Sequence, residues 1–567
     1  MAKQAKASPE HPWLDAYPSH VRWDEPIEAG TLIDLIDHAC KTYPERPHLT
    51  FFGRTLRYRQ TQHEIELAAA ALQAFGIIPG DRIALMLPNC PASIIFYFAI
   101  AKCGAVIVNI NPLLNQDQIE EQVRAAGAAH LITTNLRPLV NKVRALVDDG
   151  TIQRVVLCPL QDWMPLHTGL AFRLLRRADL VSSAEIPAPV FVTWKSLRGA
   201  GRYTAPRINP TDPAVLQFTG GTTGESRAAV LTHENIYINV IQCRRFIHNL
   251  REGQEAILVV LPLFHVFAMT ALMCLGSYIG ARLVLLPRLD IKTCAKVLRQ
   301  FRVTMLVVVP SLVSALLPSL RKWTDHSLRV CVSGGAPLPE PLRQDFVRAT
   351  GTPLVEGYGL TEAAPVVCVG PLEPGAGKPG SVGLPLPGTV VEVIDQQDRK
   401  TPMPIGEHGE ICVTGRQVMQ GYDNRQKDTA EVLRSGRLHT GDIGYMDEDG
   451  YIFIVDRLKQ LIIVGGYNVY PRRVEDAFYR HPAVAECAVI GLPDRVRGEV
   501  VTAYVVRKQA MEVTATELKT FVAEHLTSYE RPREVIFKDD LPKTLIGKSD
   551  HRTLKAQELE RREMSHP

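Results

Sequence analysis

Short apolar runs rich in valine and isoleucine alternate with amphipathic stretches along the chain up to about residue 380. The runs include RIALMLP, GAVIVNIN, TMLVVVP and RVCVSGG, and the stretches include IEEQVRAAGA and IKTCAKVLRQF. Runs of this kind predict buried strands, and the spacing of apolar positions in the longer stretches predicts helices with one apolar face. Their alternation predicts an α/β fold with largely parallel sheets.

After about residue 380 the pattern changes to short strands separated by Gly, Pro and Asp turns, as in GTVVEVID, GEICVTG and GYIFIVDR. A final α+β unit follows, with predicted helices RRVEDAFYRH and ATELKTFVAEHL around strands AECAVIG and VVTAYVVRK. The boundary is placed at DRLK, which predicts domains at 1–456 and 460–567 joined by a hinge at 457–459. The charged tail from Lys555 is expected to be frayed.

Two segments raise the question of a membrane. Residues 256–281 contain no Asp, Glu, Lys or Arg, which is enough length to span a bilayer. Pro262 and His265 interrupt this stretch, so we interpret it as a strand, a loop and a buried helix. The segment LAFRLLRRADLV at 170–181 is basic and amphipathic, which leaves open a contact with anionic lipid or a helix packed on its own domain.

Composition narrows the function classes. A chain of 567 residues predicts two or three domains. A net charge of +4, without a repeated basic and aromatic stripe, gives no support to general nucleic-acid binding. The 11 cysteines are scattered outside CxxC and zinc spacings, and the first residues, MAKQAKASPEHPW, lack an apolar core. We therefore expect a reduced, cytoplasmic compartment.

The stretch TGGTTGESRAAV at 219–230 has the composition of a phosphate-binding loop. It follows a strand-like run, AVLQF, and precedes VLTHENI, which is interpreted as the start of a helix. A glycine-rich turn at such a place points backbone N–H groups at phosphate oxygens. The alternative is a surface turn, and the stretch lacks the GK[ST] ending of P-loop NTPases.

Four further motifs accompany this loop in a fixed order: SGGAPLP at 333–339, EGYGLTEAAP at 356–365, HTGDIGY at 439–445 with DRLKQLIIVGGYNVYP at 456–471, and LPKTLIGKSDHRTL at 541–554. The set resembles the AMP-forming acyl-CoA synthetase (adenylate-forming) superfamily over nearly the whole chain. LPLFHVFAMT and GYNVYPRRVEDA are most similar to its bacterial long-chain fatty-acyl-CoA synthetases. The resemblance implies two α/β subdomains with a small β subdomain, followed by a small mobile C-terminal domain.

The resemblance also implies a reaction in two halves that uses ATP, Mg²⁺ and coenzyme A. A fatty-acid carboxylate attacks the α-phosphate of ATP to give acyl-AMP and pyrophosphate, and the CoA thiol then expels AMP. Neither half needs a protein nucleophile, so positioning and charge stabilisation carry the catalysis. The absence of a GxSxG nucleophile motif agrees with this expectation.

The family's functional positions are carried over as follows. For the β- and γ-phosphates the resemblance implies Thr219, Gly220, Gly221, Thr222, Thr223 and Gly224, with the positive charge of Arg227 after them. For the nucleoside it implies Gly335, Glu356, Gly357 and Tyr358 around adenine, Thr361 at the α-phosphate, and Asp442 and Arg457 at the ribose. It implies Glu362 as the magnesium ligand, Lys548 as the catalytic lysine and Lys459 at the hinge. In a second domain pose it implies Gly465 and Gly466 beside pantetheine and Asn468 near AMP.

His265 lies in the loop that borders the acyl site in this family, and a buried core histidine is the alternative. The apolar stretch after it, together with a wall near VVVPSLVSALL, would form an apolar tunnel for the acyl chain. Burial gains about 0.8 kcal/mol per CH₂, so such a tunnel can select for chain length.

The sequence departs from the family's usual Lys-Gly pair at Arg227 and Ala228, which follow Glu225. Arginine keeps the charge but presents a planar fork, and alanine adopts a positive φ less readily than glycine. We expect activity to survive because the phosphate cradle is mostly backbone.

Several alternatives stay open at this stage. One is a ligase for a branched, cyclic or aromatic acid, or for the pantetheine of a carrier protein. Another is a non-catalytic acyl- or nucleotide-binding protein with a degraded phosphate loop. The chain length of the acid is undetermined, and a homodimer is one of the arrangements that the sequence allows.

Overall fold

The structure, a computed structural model, describes residues 11–182, 185, 190–219, 226–373, 375–465, 467–494, 497–508, 511–543 and 550–565. The side chains of Lys459, Asn468 and residues 563–565 are outside this description. The predicted fold class is confirmed, because the described chain is α/β with a large N-terminal part and a small C-terminal α+β part.

Two large sheets form the N-terminal part. In the described residues the first has nine strands in the spatial order Leu384–Pro385, Val366–Val369, Val355–Gly359, Val330–Gly334, Met305–Val308, Ala256–Val259, Arg282–Leu285, Pro47–Phe51 and Arg54–Arg57. The second has eight described strands in the order Gly421–Tyr422, Arg227–Thr232, Pro213–Thr219, Val106–Asn109, Arg82–Leu85, His130–Thr133, Arg154–Leu157 and Phe191–Thr193. Their central pairs are parallel, so the carboxyl ends of the strands lie together at one edge, where ligands bind in such sheets.

Helices cover these sheets and fill the space between them. The α-helices of the N-terminal part are Leu32–Thr42, Tyr58–Ala74, Pro91–Lys102, Gln116–Ala126, Arg137–Asp148, Leu166–Leu175, Trp194–Leu197, His233–Phe246, Val266–Ala268, Leu275–Tyr278, Ile291–Gln300, Pro310–Leu320, Glu340–Thr350 and Gln426–Val432. Every residue of Pro91–Lys102 is buried, because this helix contacts strands of both large sheets. That position explains why the helix is apolar on all sides.

Two smaller sheets follow along the chain. The first contains Val390–Ile394, Gly409–Thr414, Leu433–Arg434, Arg437–Met446 and Ile452–Arg457. The C-terminal sheet contains Ile462–Val464, Tyr467–Val469, Val484–Asp494, Gly498–Arg507 and Glu534–Phe537, with helices Pro471–Tyr479, Ala515–Ala523 and His551–Ser565. A 3₁₀ turn at Leu458–Gln460 connects the two sheets. The apolar clusters of the C-terminal part are built from residues between 462 and 559.

The glycine-rich stretch lies between two strands along the chain, and the helix predicted in VLTHENI begins after the second of them. Pro213–Thr219 pairs antiparallel with Arg227–Thr232, and a helix begins only at His233. Strand Arg227–Thr232 was not predicted, because RAAVLT leads directly into that helix. Ala228 lies opposite Phe218 in this hairpin, so its backbone is extended and alanine is unstrained there.

The uncharged stretch at 256–281 is confirmed as a strand, a loop and a buried helical segment. Ala256–Val259 is a central strand, and the helical turns from Val266 to Tyr278 include a π-helical turn at Met269–Cys274. In the described part of the chain, no helix has both the length and the apolar character needed to cross a membrane.

The expectation of a frayed tail after Lys555 is wrong for the residues described. His551–Ser565 is helical, and Leu554 is buried in an apolar cluster with Tyr504. Glu558 forms ion pairs with Arg561 and Arg562, which lie on one side of the same helix.

Candidate active site

A cavity of about 810 Å³ lies at the carboxyl ends of the parallel strands of both large sheets. Asn109 and Gln217 reach it from one sheet, and Val307, Val332 and Gly357 reach it from the other. The small β sheet closes a further side with residues of the HTGD turn. The volume falls in the range of ligand sites in proteins.

The cavity collects most of the described residues that the sequence predicted for the site. Those lining it are Thr219, Arg227, His265, Gly335, Gly357, Tyr358, Thr361, Glu362 and Arg457. Gly335 has a φ of +79°, which a glycine adopts without strain. Asp442 is outside the lining and contacts it through hydrogen bonds with Tyr358 and Arg457, and Glu356 directly precedes the lining residue Gly357.

Asp442 is held at one end of the cavity by two donors. The Tyr358 hydroxyl donates to its Oδ2 at 2.6 Å, and the Arg457 Nε donates to its Oδ1 at 2.9 Å. Burial raises the pKa of Tyr358 well above its ordinary value, so this hydroxyl stays protonated and acts as a donor. The carboxylate is therefore fixed with its acceptor oxygens beside Tyr358 and Arg457, where it can accept hydrogen bonds from two hydroxyls of a sugar.

A buried carboxylate that the sequence did not single out anchors the turn carrying Asp442. Glu410 Oε1 accepts the Gly441 N–H at 3.1 Å, and its Oε2 lies 2.8 Å from His439 Nδ1. Cys412 Sγ lies 3.3 Å from the same nitrogen, and burial raises the pKa of this thiol to about 12. Because Arg399 also lies 3.4 Å from Glu410, this cluster is already compensated in charge and serves as a loop anchor.

Glu356 is buried and directly precedes Gly357, a residue of the cavity lining. Its Oε2 accepts the Leu338 N–H at 2.8 Å, and Arg472 from the C-terminal part lies 3.9 Å from its Oε1. Burial raises the pKa of Glu356 to about 7, and Arg472 opposes that rise.

Asp456 joins the last strand of the small sheet to the first helix of the C-terminal part. Its carboxylate accepts the Arg457 N–H at 2.6 Å and the Arg472 N–H at 3.0 Å. Burial raises its pKa from 3.8 to about 7, although both hydrogen bonds act to lower it. Arg472 Nη1 also donates to the Ile454 carbonyl at 2.5 Å, so one residue connects the two parts of the chain twice.

Asp456→Asn is expected to remove a pH-dependent part of the stability. An acid whose folded pKa is raised binds its proton more tightly when folded, so stability falls as pH rises from about 4 to about 7. Across that pH range the free energy of unfolding of the wild-type protein should fall by up to about 4 kcal/mol relative to that of the variant. Urea unfolding at several pH values measures the difference, with Glu448→Gln, an exposed acid before the same strand, as control. If the difference in unfolding free energy between the wild type and Asp456→Asn does not change with pH, the raised pKa of Asp456 would be contradicted.

Glu362 lies in a 3₁₀ turn, Thr361–Ala363, that lines the cavity. Its backbone carbonyl accepts the Met419 N–H at 2.8 Å, and its Oε1 accepts the Tyr422 hydroxyl at 2.7 Å. The Glu362 carboxylate and the Thr219 and Thr361 hydroxyls all belong to residues of the cavity lining, and such hard oxygen donors fit Mg²⁺ carried on a nucleotide phosphate. Tyr422 was missed because a single aromatic residue in a loop sequence carries no signal of this contact.

Part of the cavity lining is apolar, and we call this part the apolar arm. It is lined by Cys243, Ile247, Phe267, Ala271, Leu275, Met305, Val307, Val332, Val366 and Val369. His265 also lines the cavity and caps the following helical turn, where its Nδ1 accepts the Phe267 N–H at 3.3 Å. The predicted wall at VVVPSLVSALL contributes Val307, but helix Pro310–Leu320 lies behind the lining, and residues of helix His233–Phe246 and strand Val366–Val369 take that place.

The structure describes only some of the remaining predicted residues. Gly220, Gly221, Thr222, Thr223, Gly224, Gly466 and Lys548 are outside the described residues, as are the side chains of Lys459 and Asn468. Gly465 is away from the described cavity lining, in a turn with a φ of +59°. Arg552 lines the cavity from the C-terminal helix, which brings the segment after Lys548 to this site.

Comparison with known proteins agrees with this arrangement. Residues 36–423 match the family model described as AMP-binding enzyme, and residues 473–548 match the model of its C-terminal domain. The chain belongs to the AMP-binding enzyme family. The first match covers more than half of the chain and contains Glu362 with the whole apolar arm.

Members of this family with curated names align over nearly the full chain. It is 37% identical over 557 residues to a long-chain-fatty-acid–CoA ligase of Bacillus subtilis, covering 97% of this chain and 99% of that enzyme. It is 36% identical to the enzyme of the same name from Escherichia coli O6:H1, covering 96% and 97%. Rice 4-coumarate–CoA ligase 2 is 34% identical and covers 89% of this chain and 88% of that enzyme.

Solved structures of adenylate-forming enzymes have the same fold. ATP-bound MatB from Rhodopseudomonas palustris superposes with a TM-score of 0.81 at 26% identity, covering 94% of this chain and 99% of that chain. An anthranilate CoA ligase, AuaEII, in complex with anthranoyl-AMP gives a TM-score of 0.83 at 24% identity, covering 95% and 99%, and shows the shared fold alone.

Proposed function

We propose that this protein is an ATP-dependent, AMP-forming fatty-acid:CoA ligase for acids of medium or long chain. The observation that carries the proposal is one cavity that joins a polar end, with Glu362, Tyr358 and Arg457, to an arm lined by apolar side chains. Such a site can hold a nucleotide and an alkyl chain side by side, with their reacting groups meeting at its middle.

In the first half-reaction, residues of this chain bind ATP and the fatty acid and orient them for reaction. Asp442, held by Tyr358 and Arg457, accepts the ribose hydroxyls, and Thr361 contacts the α-phosphate. Glu362 would hold Mg²⁺, which would compensate phosphate charge when bound. Lys548 stabilises the charge that develops as the carboxylate attacks, and the position of Arg552 in the lining supports its delivery to this site.

In the second half-reaction we propose that 460–567 rotates as a domain relative to 1–456 about a hinge at 457–459. The 3₁₀ turn Leu458–Gln460 between two separate sheets supports this hinge. Rotation would break the contacts of Arg472 with Asp456 and Ile454, and Gly465, Gly466 and Asn468 would approach CoA in the new pose.

An acid panel tests the function. Acids from acetate to oleate, with benzoate, are each mixed with ATP, Mg²⁺ and CoA, and pyrophosphate and acyl-CoA are followed separately. Both products from acids of eight carbons or more are expected. Pyrophosphate without thioester would identify another acceptor, such as a carrier protein, and preference for benzoate would identify an aromatic acid. Binding of ATP without either product would mean that the protein is a binder.

A surface helix supports a contact with an anionic membrane. In Leu166–Leu175, four leucines are largely exposed: Leu166 at 94%, Leu170 at 60%, Leu174 at 68% and Leu175 at 84%. On the other face of this helix, Phe172 packs against the core of the protein and Gly169 is buried. Exposed Arg173, Arg176 and Arg177 flank the leucines, although Asp179 pairs with Arg176 at 2.6 Å. An apolar face bordered by arginines fits a lipid surface with negative charge.

Replacing Leu166, Leu170 and Leu174 together with serine is expected to release the protein from vesicles of phosphatidylglycerol and phosphatidylcholine. Flotation of wild-type protein should weaken with salt and with neutral vesicles, because part of the attraction is electrostatic. Octanoate activation in solution is the control and should be unchanged. Unaltered flotation of the variant would reject the lipid contact. A dimer of the wild-type protein that the substitution dissociates would also reject it, because the leucines would then contact a second copy of the chain.

A further inference from the structure

Arg227 lines the cavity, but its charge is already engaged by another side chain, which argues against a simple role in binding phosphate. Its Nη2 lies 3.1 Å from Asp428 Oδ1, and the two side chains are only 17% and 19% exposed. Its guanidinium also lies over the Tyr422 ring, 5.7 Å from the ring centroid, which is a cation–π distance. A lysine ammonium is a point charge and would not present a planar fork to both partners.

Tyr422 connects this arginine to Glu362. It is buried, and its hydroxyl donates to Glu362 Oε1 at 2.7 Å. Burial raises the pKa of Tyr422, so the hydroxyl remains a donor. A cation above the ring draws electron density from the phenol, which strengthens the hydrogen bond that its O–H donates.

The backbone around these side chains is fixed on both sides. Strand Gly421–Tyr422 pairs antiparallel with Arg227–Thr232, with Tyr422 opposite Ala229. The Tyr422 N–H donates to Thr429 Oγ1 at 2.9 Å, on the helix that also carries Asp428. Strand Arg227–Thr232, which follows the glycine-rich stretch, and the carboxylate of Glu362 therefore both contact the same rigid segment, residues 421–432.

We propose that Tyr422 and Arg227 are positioning residues, which hold the Glu362 carboxylate in the orientation that binds Mg²⁺, and that Asp428 keeps Arg227 in place. This inference rests on the proposed function and deepens it. It also explains the departure at the phosphate loop: the arginine supports the carboxylate that binds the metal, while backbone groups and hydroxyls are left to bind phosphate.

Calorimetry of ATP binding tests the proposal without turnover, in a Lys548→Ala background and across a series of Mg²⁺ concentrations. Tyr422→Phe is expected to raise the Mg²⁺ concentration at half-saturation about tenfold, because a hydrogen bond to a charged group is lost. Arg227→Gln and Asp428→Asn should each raise it about threefold. ATP binding without Mg²⁺ should be unchanged in all three variants. Lys427→Gln, an exposed residue of the Asp428 helix, is the matched control.

The double variant Tyr422→Phe/Arg227→Gln separates positioning from direct phosphate contact. If Arg227 acts through Tyr422, its substitution adds nothing once the hydroxyl is gone. Additive effects, or weaker ATP binding without Mg²⁺ in Arg227→Gln, would show that Arg227 contacts phosphate and would overturn the proposal. An unchanged Mg²⁺ dependence in Tyr422→Phe would overturn it as well. Failure of the starting protein to bind MgATP would instead reject the proposed function and this inference together.

Discussion

Lys548→Ala is expected to reduce acyl-adenylate formation by about 10²–10³-fold, which is the usual effect of removing one group that stabilises transition-state charge. ATP and fatty acid should still bind, because Tyr358 and Asp442, which are proposed to contact the nucleoside, precede the proposed hinge. Pyrophosphate release with saturating acid measures the rate, and calorimetry measures the two binding constants.

Lys543→Ala is the matched control, because this lysine belongs to the same segment. Its Nζ pairs with Glu486 at 2.9 Å and with Asp540 at 3.1 Å, which gives it a surface role. When acyl-AMP is supplied directly, Lys548→Ala should still form acyl-CoA, since phosphate chemistry is already complete. Pyrophosphate release at the wild-type rate would remove Lys548 from the mechanism and favour another cation, such as Arg552, which lines the cavity.

Much of the fold could be predicted because local patterns agree with the tertiary structure. Buried runs such as TMLVVVP became central parallel strands, and the uncharged stretch at 256–281 became a strand and a buried helix, as Pro262 indicated. The hairpin at Pro213–Thr219 and Arg227–Thr232 was missed because antiparallel pairing across a glycine-rich turn is a non-local property. A short strand that leads directly into helix His233–Phe246 has the same sequence signal as the helix entry.

The site residues show the same difference between local sequence signals and non-local contacts. Residues inside motifs, such as Glu362 and Tyr358, could be predicted to share one site because those motifs resemble a known family, and both residues line the cavity. Tyr422 could not, since it lies 60 residues from Glu362 in the sequence and contacts it only through the pairing of two distant strands. Glu410 was missed for a similar reason: a carboxylate that anchors a turn 31 residues away shows no spacing pattern.

Ala271→Trp is expected to change the preferred acid from long to short chains. Ala271 lies in the π-helical turn that lines the apolar arm, six residues after His265, and Leu275 lies about 6 Å further along the helix. A tryptophan at this position would close the arm, and on the order of five methylene groups would lose burial worth about 4 kcal/mol in total. The ratio of kcat/KM for palmitate to that for butyrate should therefore fall by about a thousandfold.

Butyrate provides the internal control, because a short chain ends before the obstruction and its activation should be nearly unchanged. Ala271→Val adds less volume and should give an intermediate shift, so the series tests whether length selection follows the space in the arm. A loss of activity with every acid, accompanied by a lower Tm, would be a folding effect, since large residues in packed interiors cause strain. Unchanged palmitate activity in a stably folded tryptophan variant would show that the acyl chain follows another path. His265 would then border a different part of the substrate, and the apolar side chains around Ala271 would be ordinary core.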